Sequence, residues 1–146
     1  VWHGIAGAAR DAAIAYARER TPNGMSAPIA ELPAIQNRVA QMELLHWQSG
    51  TLLAATAERW QAASPGERAA MDWEMAGTKH LVTNNAIEIT DLAMRVVGAA
   101  SMSRDMPLER YYRDVRAGLG QPPMDDAAFS IIGKRALGLS AKRPAG

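Results

Sequence analysis

Cysteine is absent from this 146-residue sequence, and phenylalanine occurs once. Without thiols the chain has no disulfide framework, no thiol nucleophile and no thiolate-bound metal, and its composition fits a reducing compartment. It also lacks an excess of either charge. Its 16 basic and 15 acidic residues leave a formal net charge of +1, too little for a global field that would gather nucleic acid or anionic lipid. No apolar run is long enough to span a bilayer, and no charged lead-in marks a signal peptide. Aromatic residues make up only 5% of the chain, beside a heavy alanine load and eight Met. That mixture favours closely packed helices over a β sandwich. No strand pattern, internal repeat or glycine-rich phosphate loop is present, and no serine or threonine sits in a nucleophile elbow. All three histidines fall in helical stretches whose positions imply no triad.

A chain of this length predicts one domain with a core that needs no covalent staples. It opens at Val1, already inside a helical pattern, and is expected to be a piece of a longer protein. The first helix is predicted from about His3 to Arg20, with Ile5, Ala8, Ala9, Ala12 and Tyr16 at helical spacing. The stretch from Thr21 to Pro33 holds three prolines and Gly24 and reads as a loop. A second helix runs from about Pro33 to Ala62. One seam passes through Ile35, Val39, Met42, His46, Ser49, Leu53, Ala57 and Trp60, and Leu44, Leu45 and Leu52 form another apolar strip. A helix apolar on two sides is either central or packed against another subunit. The third helix has a strong start at Ser64-Pro65-Gly66-Glu67 and ends at Gly98, which makes it about 50 Å long. Its seam is Met71, Met75, Thr78, Val82, Asn85, Ile89, Leu92 and Val96. Short helices follow over about 107–117 and 125–137, and 140–146 reads as a frayed basic tail. The long seams predict an all-α fold, an antiparallel four-helix bundle with a short connecting helix.

Four groups could carry chemistry. Glu43 and His46 have the Glu-x-x-His spacing of carboxylate-bridged di-iron helices, but no second such pair exists, so His46 reads as a packing histidine and Glu43 as a solvent residue. No metal site is assigned. Lys79, His80, Asn84, Asn85, Glu88 and Asp91 form a polar group in the third helix, where Asn85 on the seam is expected to fix register. The arginines and tyrosines from Arg110 to Arg116 are interleaved with acids. They are expected to pair locally or meet a neighbouring subunit rather than bind nucleic acid. Arg20, at a helix–loop junction, has the planar fork that can hold a phosphate.

Residues 107–126, PLERYYRDVRAGLGQPPMDD, place aromatics and arginines before a break rich in glycine and proline and then an acid-started helix. This stretch resembles the end of the C-terminal helical domain of the acyl-CoA dehydrogenase family. The opening GIAGAARDAAIAYARER, with Tyr16, Ala17 and Arg20, resembles that domain's first helix. Residues 34–42 resemble the start of its second helix, and 88–98 the end of its third. The resemblance implies that residues 1–139 are the C-terminal bundle of a larger cytoplasmic flavoprotein. In that family the bundle supplies a dimer or tetramer interface and one wall of the FAD cleft. The flavin's pyrophosphate and adenosine reach a neighbouring subunit's bundle, and an acyl-CoA thioester loses a proton to a glutamate and a hydride to the flavin.

By the same resemblance, Arg20 and Gly98 fall at cofactor-binding positions. Asn23, Leu32-Pro33 and Ala99-Ala100-Ser101 depart from the family pattern. The usual glutamate position falls near Pro122, which has no ionisable group, and in another branch of the family the base lies upstream of Val1. No catalytic residue is therefore assigned, and the 146-residue piece alone is expected to be inactive. Two other readings stay open: a flavin-dependent monooxygenase of the same fold, and a helical domain kept for assembly.

Overall fold

The computed structural model describes residues 1–139, so the basic tail lies outside the described residues. These residues form six α-helices: α1 (Trp2–Glu19), α2 (Pro33–Ala62), α3 (Pro65–Ala69), α4 (Asp72–Val97), α5 (Leu108–Arg116) and α6 (Asp125–Ala136). Short 3-10 turns occupy Ile29–Glu31, Gly98–Met102 and Ala117–Gly120. The described residues contain no strand.

Side-chain pairs set the directions of the helices. Arg10 meets Glu43 and His46, while His3 reaches Gly50, so α1 and α2 are antiparallel. Asn85 bonds Ser49, Thr78 bonds Thr56 and Glu74 pairs with Arg59, which makes α2 and α4 antiparallel. α5 and α6 run back along α4 in succession. Glu109 lies beside Asp91 and Arg95, Gly118 beside Thr83, Asp125 beside His80 and Arg135 beside Trp73. The fourth column of the bundle is therefore two short helices with a break at residues 117–124.

The predicted third helix is not continuous. Its serine cap and capping box are present, but α3 ends after one turn, with Ala70 at φ −92° and ψ −2° and Met71 at φ −93° and ψ 7°. Arg68 ties this turn to the end of α2 by donating to the carbonyls of Trp60 and Gln61. The chain then restarts at Asp72, whose carboxylate accepts from the Trp73 N–H. Asp72 and Glu74 place acid at the positive end of the new helix. The bend turns Met71 into the interior, so the apolar seam passes through it unbroken.

α4 is the central helix. Ala76, Ala86 and Ala93, with Thr83 and Thr90, keep it slim enough for neighbours on several faces. α2 lies outside it, and of the two placements open to a two-sided apolar helix, this chain by itself does not adopt the central one. The buried face of α1 is Ala6, Ala9, Ala13 and Ala17. The larger Ile5 and Tyr16 flank that contact and are only partly buried, because only the small side chains fit where the two backbones come close.

Candidate functional site

The break between α5 and α6 opens the fourth column of the bundle, and its geometry follows from Gly118. A Cβ built on that residue would lie 2.6 Å from Thr83 Cγ2 and 3.1 Å from Trp2 Cε2. The chain therefore presses its backbone onto α4 and the start of α1 at this point. Beyond Gly118 it turns outward, leaving Leu119, Gly120, Gln121, Pro122 and Met124 exposed, with a cis peptide bond between Pro122 and Pro123. None of residues 117–124 is ionisable. The rim is uncharged and accessible, and Pro122 occupies it without a carboxylate.

The first acid after the rim is already engaged. Asp125 opens α6 and pairs with His80 Nδ1 at 2.8 Å, and Asn84 donates to its other oxygen at 3.3 Å. The His80 hydrogen bond comes first among the causes that hold the Asp125 carboxyl below its ordinary range. Asn84 also donates to the His80 carbonyl, and Phe129 meets the imidazole edge-on at 4.6 Å. This cluster docks the start of α6 against α4 and lowers the proton affinity of Asp125, which makes it a weak base.

Arg20 and Gly98 lie far from the break. α1 and α4 are parallel, so their C-terminal ends share one end of the bundle, while Trp2 and Gly118 lie toward the other. The length of α1 separates the two places by about 27 Å. The backbone of Arg20 caps α1, with its N–H donating to the Tyr16 carbonyl and its own carbonyl accepting from Ile29 N–H. Its residue is exposed, and among the described residues the ion pairs formed by arginine belong to Arg10, Arg59, Arg95 and Arg113. Gly98 has φ 70° and ψ −144°, a conformation essentially confined to glycine. A Cβ there would meet no atom within 4 Å, so the requirement comes from the backbone and not from crowding.

The remaining sequence candidates have structural partners. Asn85 donates to Ser49 Oγ at 3.1 Å and so pins the register of α4 against α2. Arg113 pairs with Glu109, and Arg116 covers the Tyr112 ring and donates to its carbonyl. Glu43 lies 3.4 Å from Arg10 rather than beside a second carboxylate. Among the described residues no three histidine or acidic side chains group as metal ligands.

Three features were missed by sequence reasoning. His3 and His46 stack at 3.9 Å between α1 and α2, with His46 over Gly7 and His3 over Gly50. The signal was available as a His-x-x-x-Gly step in each helix, which antiparallel pairing makes reciprocal. Arg10 donates to His46 Nδ1 at 2.9 Å, and since arginine accepts no hydrogen bond this fixes Nδ1 as the acceptor. Burial, followed by Arg10, lowers the proton affinity of His46, and burial, followed by His46, lowers that of His3. The second feature is a buried hydroxyl pair, Thr56 and Thr78, at 2.8 Å. The third is the burial of Lys79 Nζ, on a residue of the polar group named above, without a hydrogen-bond partner among the described residues.

Comparison with known proteins adds an independent line. The family described as "Acyl-CoA dehydrogenase, C-terminal domain" matches residues 1–119 and so stops within the break, before Pro122. YdbM of Bacillus subtilis (strain 168), named as a candidate acyl-CoA dehydrogenase, is 43% identical over 137 residues, which are 94% of this chain and 35% of the relative. The structure of butyryl-CoA dehydrogenase from Megasphaera elsdenii matches with a TM-score of 0.83 at 22% identity, covering 93% of this chain and 34% of that one. A structure of PigA with FAD and proline matches at 0.81 and 22% identity, covering 94% and 34%. At these identities the solved structures show the fold alone. This chain spans about a third of the length of the relatives it matches.

Proposed function

Since this chain belongs to the acyl-CoA dehydrogenase family, as its C-terminal helical domain, we propose that residues 1–139 form one wall of the flavin cleft in a larger cytoplasmic FAD-dependent oxidoreductase acting on acyl-CoA thioesters. The observation that carries this reading is the interrupted fourth column. Gly118 holds the break against α4, and the rim beyond it offers an exposed, uncharged edge suited to a flat ring system. FAD, when bound, would supply the acceptor for a hydride. This chain's own residues shape the rim, hold Asp125 ionised and set Gly118 against Trp2 and Thr83.

Arg20 is suited to a pyrophosphate, having a guanidinium at an exposed helix end with no carboxylate partner among the described residues. Its distance from the break means that the two places on one chain would face different flavins, as happens in a dimer or tetramer whose bundles exchange cofactor contacts. Gly98 lies at that same end and lets the chain turn there. Among the described residues no helix is long and apolar enough to cross a membrane.

The base is the open part of the reaction. The rim carries no ionisable side chain and Asp125 is engaged, so a dehydrogenase would take its proton acceptor from outside this chain. The same observation favours a second reading, a flavin-dependent monooxygenase of this fold, which has no need of that glutamate. The test is FAD content and anaerobic reduction of the whole protein. Bleaching of bound flavin by an acyl-CoA supports the dehydrogenase, and NAD(P)H-linked oxygen uptake supports the monooxygenase. Purification without flavin, and with no uptake of added FAD, would overturn both in favour of an assembly role.

A further inference from the structure

A cavity of about 430 Å³ opens between the start of α1, the second half of α2 and the first half of α4, within the roughly 300–1,000 Å³ typical of small-molecule sites. Its wall is apolar, built mainly from Trp2, Leu53, Ala57, Trp60, Met75 and Val82. Two basic side chains interrupt it, His3 and Lys79. Four side-chain nitrogen or oxygen atoms are buried without a hydrogen-bond partner among the described residues, and His3 Nδ1 and Lys79 Nζ are two of them. Two of the four therefore belong to residues lining a single cavity. The threonines of the same wall do not share this deficit, since Thr56 and Thr78 satisfy each other.

A buried ammonium with no partner is costly, because the water it gave up has not been replaced. Asp125 feels Lys79 through space, yet its oxygens are held by His80 and Asn84 and no ion pair with Lys79 forms among the described residues. His3 Nδ1 carries a proton in one neutral tautomer and then has a hydrogen bond to give. Both atoms are covered where they stand, so each side chain would turn into the chamber to meet a ligand. A cation and a donor bordering an apolar chamber match one kind of ligand, a hydrocarbon body with a negatively charged head.

We propose that this cavity binds an anionic amphiphile, a medium-length carboxylate whose tail lies on the Trp2 and Trp60 wall and whose head is held by Lys79 and His3. The site goes beyond the flavin reading and needs no flavin to be tested. The probes are octanoate and its neutral counterpart 1-octanol, titrated calorimetrically into the 146-residue chain. The Val1 amino group is acetylated, so that no second ammonium lines the cavity. Octanoate is expected to bind saturably at one site, at least tenfold tighter than octanol, with a shift in tryptophan emission from Trp2 and Trp60. Lys79→Met removes a buried charge at similar volume and is expected to erase that tenfold preference while octanol binding persists. Ala57→Phe fills the chamber and is expected to abolish binding of both probes.

Equal affinity for the two probes, or a preference that survives Lys79→Met, would overturn the proposal. So would an absence of saturable binding in a chain with native helical content. The same titration on the whole protein carries a further arm. Binding to the 146-residue chain but not to the whole protein would mean that another part of the polypeptide fills the cavity, and would overturn it as well.

Discussion

Gly118 and the threonine pair are where single atoms decide most. Adding a methyl group at Gly118 forces backbone against Thr83 and Trp2, neither of which is the free end of a flexible chain. Gly118→Ala is expected to destabilise the fold by about 1–3 kcal/mol, read as a lower urea midpoint, with the break displaced from α4. An unchanged midpoint would show that the break is not pinned there. The Thr56–Thr78 hydroxyls make a different case. Replacing either by valine leaves the other buried and unsatisfied, a loss of about 1–3 kcal/mol, whereas replacing both removes the need for the bond and is nearly neutral. A double-mutant cycle in urea checks this, and additive single effects would refute it. At this scale the sequence was legible where a side chain had to find a partner, as Asn85 on the seam had to. It was silent on Gly118, because a glycine needed for close approach reads the same as one placed to end a helix.

The α1–α2 contact shows how elements create properties that no residue holds alone. Each helix contributes a histidine and, four residues later, a glycine that receives the other's ring. Burial makes both rings harder to protonate when folded than when unfolded. The unfolded chain therefore binds more protons in this range, so stability is fully present above the ordinary imidazole value of about 6.5 and falls as the pH drops below it. The urea midpoint is expected to be higher at about pH 7.5 than at about pH 5.5, and the difference should shrink in the His3→Leu, His46→Gln double variant, whose glutamine can still accept from Arg10. A pH difference that the double variant leaves intact would refute this assignment. Asp125 adds acid sensitivity of the same sign, but below the ordinary carboxylate range and outside this window. Element boundaries followed sequence chemistry closely where a cap was unambiguous: α2 starts at Pro33 and ends at Ala62 as its spacing predicts. The division of the third helix into α3 and α4 was hidden, because Met71 keeps the apolar periodicity while the backbone turns.

For the molecule as a whole, the decisive asymmetry is between α4, enclosed on several faces, and α2, which leaves Leu44 62% and Trp47 70% exposed. Large apolar groups clustered on one outer helix mark an association surface. The chain is expected to self-associate through α2, and Leu44→Glu with Trp47→Glu is expected to shift it toward monomer in light scattering while helical content stays native. A wild-type chain that stays monomeric at high concentration would remove the main support for the bundle as an oligomer interface. Composition and periodicity by themselves determined that the chain is helical and where most helices begin and end. These are local quantities, set by propensity, caps and the 3.6-residue repeat. Only the tertiary structure decided that α4 takes the centre, that Gly118 presses the break onto Thr83, that Asp125 is engaged by His80, and that His3 and Lys79 share one apolar chamber. Each of those depends on which residues distant in sequence come within a few ångströms, and a one-dimensional pattern does not carry that distance.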